Sequence, residues 1–475
     1  MRETDQFSGA GHVDLPRALL TRCLIVGAGV AIVLLGAASR GWAQESIAQE
    51  EPPPASVEQD VSPIERSFRI LPERPGLFPW LKEKLKDLPP FFRDTKLDVN
   101  LRTYYFNGEK FGGTRNEAWA GGGSLSYRSG WLLDRLSAGA VLYTSQPLFA
   151  PADRDGTALL KPGQNGYTVL GQLYGRVKVF DELFLNLYRY IYDTPYISRD
   201  DSRMTPKTFE GYTFQGSLGG KDGGPGLRYG GGYITKIKER NSTEFIWMSQ
   251  AAGARVDRGV GVAGALFSYG RFSLGAIDYY SDDIINIAYG EAKYVLPVSR
   301  DFGLLFAAQY TDQRSVGADL LTGSSFLTGQ FGTKTEMSYA GALLTLAYTR
   351  VAEGADLQTP WSGTPGYTSV QVQSFKGAGQ QAFLVKASYD FSRLGAQGLT
   401  AYGLFAHGWG LVSPSTKASL PNMNEVDADL QWRPEWSFLK GLWLRARYGF
   451  VQQYQGAKDT THEVRLIANY DFSLF

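Results

Sequence analysis

From Leu97 onward, apolar and polar residues alternate in blocks. The stretch His462 to Phe475 shows the pattern best. Val464, Leu466, Ala468, Tyr470, Phe472 and Leu474 form an apolar column at period two, and Glu463, Arg465, Asn469, Asp471 and Ser473 form a polar one. Period two is the signature of an extended strand whose faces meet different media. Alternating blocks recur at 97–106, 117–128, 136–144, 168–179, 182–192, 209–218, 227–238, 259–269, 271–281, 283–295, 302–313, 328–339, 341–351, 380–391, 398–409, 423–433, 441–453 and 461–474. The gaps alternate between long (145–167, 193–208, 239–258, 314–327, 352–379) and short (180–181, Gly270, Ala340). An even number of strands with long loops at one end and short turns at the other predicts an all-β fold: a transmembrane antiparallel β-barrel of eighteen strands. On the fourth strand, Val169, Gly171, Leu173, Gly175, Val177 and Val179 should face lipid, and Tyr174, Arg176 and Lys178 the lumen. The terminal Phe475 suits a closing strand, although it falls in the Ser473 column rather than the apolar one.

The N-terminal segment obeys different rules. Leu24 to Ala38 is apolar, follows Arg17 and Arg22, and precedes Gly41-Trp42-Ala43. It is too short to span a membrane as a helix and fits a signal peptide over 1–43, cleaved before Gln44. Its removal takes four arginines and three acidic residues, which leaves the two signs equal, and takes the single cysteine, Cys23, with it. The remaining chain has no thiol or disulfide chemistry. Residues 44–90, with Glu50-Glu51-Pro52-Pro53-Pro54, read as a flexible periplasmic tether, with one short amphipathic turn over 80–92 and a plug or docking motif as the alternative role. Residues 91–475 form the barrel.

Several stretches resemble the OprD family of outer-membrane porins. Phe91 to Phe106 (FFRDTKLDVNLRTYYF) is similar to that family's first strand, and Asp193 to Tyr212 (DTPYISRDDSRMTPKTFEGY) to its third loop. Lys238 to Phe245 (KERNSTEF), Leu442 to Tyr448 (LWLRARY) and Glu463 to Ile467 (EVRLI) carry further likeness. The resemblance implies a monomeric pore in the bacterial outer membrane (a loose trimer being the alternative), an inward-folded third loop, and a preference for small carboxylate-bearing solutes. The loop at 352–379 and the Gly121-Gly122-Gly123 run depart from the pattern.

Charge on the lipid face of a barrel is costly, so charged strand residues are read as lumenal. Arg445 and Arg447 share a face, Arg465 lies on the next strand, and Arg102 on the first. Arg176 with Lys178, Lys386 and Arg433 extend the set. Such a column offers a sliding carboxylate successive bidentate partners, and the resemblance carries the family's arginine ladder best to Arg102, Arg445, Arg447 and Arg465. The competing reading pairs these groups with Asp427, Asp429 and Glu463 to brace the wall. In loop 193–208, Arg199, Asp200, Asp201, Ser202 and Arg203 would set the constriction, with acidic groups facing a basic wall; alternatively Asp200 and Asp201 are solvated turn residues or a weak Ca²⁺ contact. Tyr104, Tyr105, Trp119, Trp131, Tyr279, Tyr280, Trp432, Trp436 and Trp443 lie near strand ends and are assigned to interfacial girdles rather than sugar platforms.

Other chemistries find little footing. After the signal only His407 and His462 remain, too few for a typical zinc site, and no serine motif accompanies them. No nucleotide loop or basic nucleic-acid patch is present. The sequence predicts a passive channel with no cofactor, whose partners are outer-membrane lipid and small solutes; a general or neutral-solute pore and a plugged receptor are the rivals.

Overall fold

The computed structural model describes residues 77–475, apart from 221–223, 300, 437–438 and 456. The expected signal peptide and most of the tether lie outside these residues. Nineteen strands follow in chain order: β1 Lys96–Glu109, β2 Arg115–Arg128, β3 Leu136–Phe149, β4 Tyr167–Phe180, β5 Leu183–Tyr190, β6 Thr208–Gly219, β7 Gly226–Lys238, β8 Phe245–Trp247, β9 Val260–Tyr269, β10 Phe272–Ser281, β11 Ile285–Pro297, β12 Phe302–Arg314, β13 Leu327–Tyr339, β14 Ala342–Val351, β15 Gln381–Asp390, β16 Leu399–Trp409, β17 Asn422–Trp432, β18 Leu442–Gln455 and β19 Ala457–Ser473. Eighteen of them close a ring in which every pairing is antiparallel, and β19 joins β1 from Asp98↔Ser473 to Gly108↔Glu463. The extra strand, β8, pairs only with the end of β7, because β7 continues the ring by pairing with β9. Closure leaves no strand edge exposed to lipid, where an unpaired backbone group would be costly.

β17 shows why these residues span a membrane. Glu425, Asp427, Asp429 and Gln431 are buried, while the alternate residues Val426, Ala428 and Leu430 are exposed. Polar groups inside and apolar groups outside is the reverse of a water-soluble protein and fits a sheet wrapped in lipid. No helix among the described residues is long and apolar enough to cross a membrane; the crossing is made by strands.

Every predicted strand is present, with shifted ends. On β4 the expected lipid column breaks. The register against β3 shifts between Val141 and Leu142, where Gly171 is skipped. Thr168 and Leu170 are therefore exposed above the bulge and Leu173 below it, so Val169 and Gly171 do not belong to the lipid face. A bulge adds one residue and reverses the parity beyond it. The glycine run of β2 also has a structural cause: a Cβ on Gly122 would meet the Thr144 carbonyl of β3, and one on Gly123, at φ +137°, the Asn100 carbonyl of β1. Ahead of β1, two short helices replace the single expected turn, α1 Pro79–Leu85 and α2 Pro90–Arg93. A third, α3, spans Met248–Ala251 after β8.

Candidate functional site

The inner wall formed by β15 to β19 and β1 carries most of the predicted basic residues. Strand register sets Arg447 directly opposite Arg465, Asp429 opposite Arg447, and Arg102 opposite Asn469. Two guanidiniums face to face would repel, and carboxylates offset this. Asp429 Oδ2 lies 2.8 Å from Arg445 and 2.8 Å from Arg447 Nε, so one carboxylate serves two cations. Arg447 also donates to the Tyr402 hydroxyl at 3.1 Å. Arg465 pairs with Glu463. Pairing with Asp429 and Glu463 is thus present, while Asp427 turns to a loop instead. Lys386 sits 4.5 Å from the Tyr402 ring, and Arg433, just past β17, 5.0 Å from that of Trp443. Arg176 and Lys178 stand apart on β4: Arg176 lies over Phe184, and Lys178 is held near the short turns by Asp134 and Asp181.

The loop between β5 and β6, residues 191–207, folds into the barrel and is fixed on several sides. Asp201 grips Arg102 with both oxygens, at 2.6 and 3.0 Å, and the Arg203 carbonyl accepts from the same guanidinium at 2.6 Å. Asp200 pairs with Arg240 at 3.0 Å, and Arg240 donates to Ser202 Oγ at 2.6 Å. Arg199 pairs with Asp193, whose carboxylate holds the guanidinium above its ordinary range despite its burial. The acidic tip residues are therefore engaged one by one by basic partners. Arg203 donates to the Thr157 carbonyl at 2.8 Å and lies over Phe106. Burial, then the neighbouring charge of Arg465, pushes its guanidinium down to about 10, so it stays charged at neutral pH. Nearer the start of the loop, Tyr196 and Ile197 are fully buried, and the Tyr196 hydroxyl donates to Thr311 on β12 at 3.1 Å.

A second loop, 352–380, also turns inward, along a path that no local pattern announces. Trp361 is fully buried in the cluster that holds Tyr196, Ile197 and Tyr279, and its indole donates to the Met248 carbonyl at 3.0 Å. The backbone N–H groups of Gln371, Val372 and Gln373 donate to Asp427 (3.1 Å) and to the two oxygens of Glu425 (2.7 Å each). Arg465 donates to the Gln371 carbonyl at 3.1 Å. Glu425 and Arg240 belong to the site and went unassigned in the sequence reading, although Glu425 shares the parity of Asp427 and Asp429.

Three aromatic assignments need correction. Tyr104 is buried and donates to the Ser202 carbonyl at 3.1 Å; Tyr279 is fully buried and donates to Thr194 at 2.8 Å; Trp443 donates to Gln431 at 3.2 Å. All three face inward. Tyr104 shares its column with Arg102, and Trp443 shares one with Arg445, so parity overrides nearness to a strand end.

The comparisons agree with this architecture. The family described as "outer membrane porin, OprD family" matches residues 89–474. Porin D of Pseudomonas aeruginosa is 24% identical over 427 residues, which cover 81% of this chain and 92% of that protein. The crystal structure of Pseudomonas aeruginosa OccK9 (OpdG) superposes with a TM-score of 0.72 at 25% identity, covering 81% of this chain and all of that one. A BenF-like porin from Pseudomonas fluorescens Pf-5 gives 0.71 at 19% identity, covering 81% of this chain and all of that one. With its closed ring of eighteen strands and a match over most of its length, this chain belongs to the OprD family of outer-membrane porins.

Proposed function

We propose that this channel passes small water-soluble molecules bearing a carboxylate, with preference set by the inner wall of β18, β19 and β1. The observation that carries the reading is the sharing of Asp429 by Arg445 and Arg447. One carboxylate shared by two guanidiniums leaves a surplus of positive charge at that group, while at the next inner-face positions Arg465 is matched by Glu463 and Arg102 by Asp201. A planar guanidinium accepts a carboxylate through two parallel N–H bonds, and several in sequence exchange a solute without a deep trap. The 191–207 loop narrows the path and supplies the mixed charge of Arg199, Asp200, Asp201, Ser202 and Arg203 at its tip. Conduction is passive, needs no cofactor or catalytic step, and takes place in a single barrel seated in lipid.

The test is single-channel recording of the purified protein in a planar bilayer, with benzoate, vanillate, arginine or succinate against a neutral sugar. Vanillate earns its place because a Pseudomonas aeruginosa OpdK structure of the same fold contains it. Discrete openings that carboxylates modulate and the sugar does not are expected. Openings indifferent to every solute would indicate a general pore, and silence a plugged receptor.

A further inference from the structure

The stretch ahead of β1 exposes an unusual set of side chains. Leu77, Phe78, Trp80, Leu88 and Phe92 are each 42–55% exposed. Yet the backbone there is fixed to the barrel. Leu77 and Phe78 N–H groups donate to the carbonyls of Ser473 and Leu474, both at 2.9 Å, and Gly130 N–H donates to the Phe91 carbonyl at 2.9 Å. Gly130 permits this contact, because a Cβ there would meet the Pro90 carbonyl. On α1, Leu81 and Leu85 are half-buried one turn apart, while Trp80 stands beside Lys84, whose ammonium lies 5.1 Å from the indole. Lys82 and Lys86 are exposed, and Lys86 pairs with Glu83 at 2.7 Å. The family match begins at 89, so Leu77 to Leu88 lie ahead of the matched residues.

Large apolar groups held rigidly in water mark a contact surface. Here the neighbouring surface is known. Residues 77–78 bond to the end of β19, where Tyr470, Phe472 and Leu474 continue the lipid-facing column, and Leu474 N–H in turn bonds Leu97 at the start of the outward column of β1. The exposed set is thus continuous with the lipid belt at the short-turn rim. Trp and Phe with interleaved Lys is the composition that settles at the headgroup boundary, rings toward the acyl chains and ammoniums toward phosphate.

We propose that residues 77–93 form an interfacial anchor lying on the phospholipid leaflet at the short-turn rim, with Trp80 and Phe92 in the headgroup–acyl boundary and the lysines against anionic headgroups.

The test exploits the single cysteine of the sequence, Cys23, which lies in the expected signal peptide; Cys23→Ser keeps any uncleaved protein free of a second label site. Trp80→Cys, Phe92→Cys, Lys82→Cys and Leu101→Cys variants of the full-length barrel each carry one polarity-sensitive fluorophore in vesicles of phosphatidylethanolamine and phosphatidylglycerol. Half the vesicles contain acyl chains doxyl-labelled near the headgroup. Leu101, exposed on the outer face of β1, reports insertion. Quenching of at least twofold at positions 80 and 92, and much less at 82, is expected. Position 101 quenched with 80 and 92 unquenched would overturn the proposal and leave the surface to a soluble partner. A second arm replaces phosphatidylglycerol with phosphatidylcholine: weaker quenching at 80 is expected, and unchanged quenching would overturn the role of the lysines.

Discussion

Breaking the Arg102–Asp201 contact should loosen the 191–207 loop without disturbing the barrel. The contact is bidentate, with oxygens at 2.6 and 3.0 Å from the two terminal nitrogens. Arg102 is 11% exposed at its side chain and Asp201 42%. A fully desolvated pair broken at one partner costs roughly 3–5 kcal/mol, and an exposed pair about 0.2–1 kcal/mol. With one end buried and one half-exposed, about 2 kcal/mol is the expected coupling, close to a thirtyfold change in the ratio of held to released loop at about 1.4 kcal/mol per decade. The loop does not leave the lumen, because Asp200 still binds Arg240 and Tyr104 still binds the Ser202 carbonyl. The assay is a double-mutant cycle of Arg102→Ala, Asp201→Ala and both, read as the dwell-time ratio of the main conductance level to its substates. Each single variant should flicker more than the wild type, and the double variant little more than either. Strict additivity, with coupling near zero, would refute the argument that this pair holds the loop.

Other substitutions probe separate parts of the account. Glu425→Ala removes the acceptors of Val372 and Gln373 N–H, so the 352–380 loop should become cleavable by added protease while the barrel stays resistant; equal protection of both proteins would contradict the contact. Gly122→Ala drives a Cβ toward the Thr144 carbonyl and should slow or abolish the folded, heat-modifiable band on gels, whereas an unchanged folding yield would show that the strands can separate. Leu466→Arg places a charge on the lipid face near the middle of β19, where about 2–4 kcal/mol of destabilisation is expected; a denaturant midpoint equal to the wild type's would place that face away from hydrocarbon.

The barrel was legible because lipid and lumen impose opposite demands on alternate residues, and β17 follows that rule from Glu425 to Gln431. It became illegible where backbone geometry intervened: nothing in the composition of β4 announces the bulge at Gly171 that reverses its parity. The placement of Arg445 and Arg447 on one face was readable from their i, i+2 spacing, and pairing with Asp429 and Glu463 was among the readings the sequence offered, whereas Asp201 as the partner of Arg102 was not, because it arrives from a loop far along the chain. Tyr104 and Trp443 were misassigned although their columns held the answer. The inward path of 352–380 left no trace, since its Trp361 and its backbone N–H groups meet residues far away in the chain.

The most direct test of the arginine wall is the reversal potential of single channels in a KCl gradient, for the wild type and for Arg445→Ala/Arg447→Ala. The double variant leaves Asp429 without its two cations, so a third protein carrying Asp429→Asn as well controls for that unpaired carboxylate. The account predicts an anion-leaning wild type, a clear shift toward cations in the double variant, and an intermediate value in the third. Identical reversal potentials in all three would contradict it, and the wall would be a structural brace only.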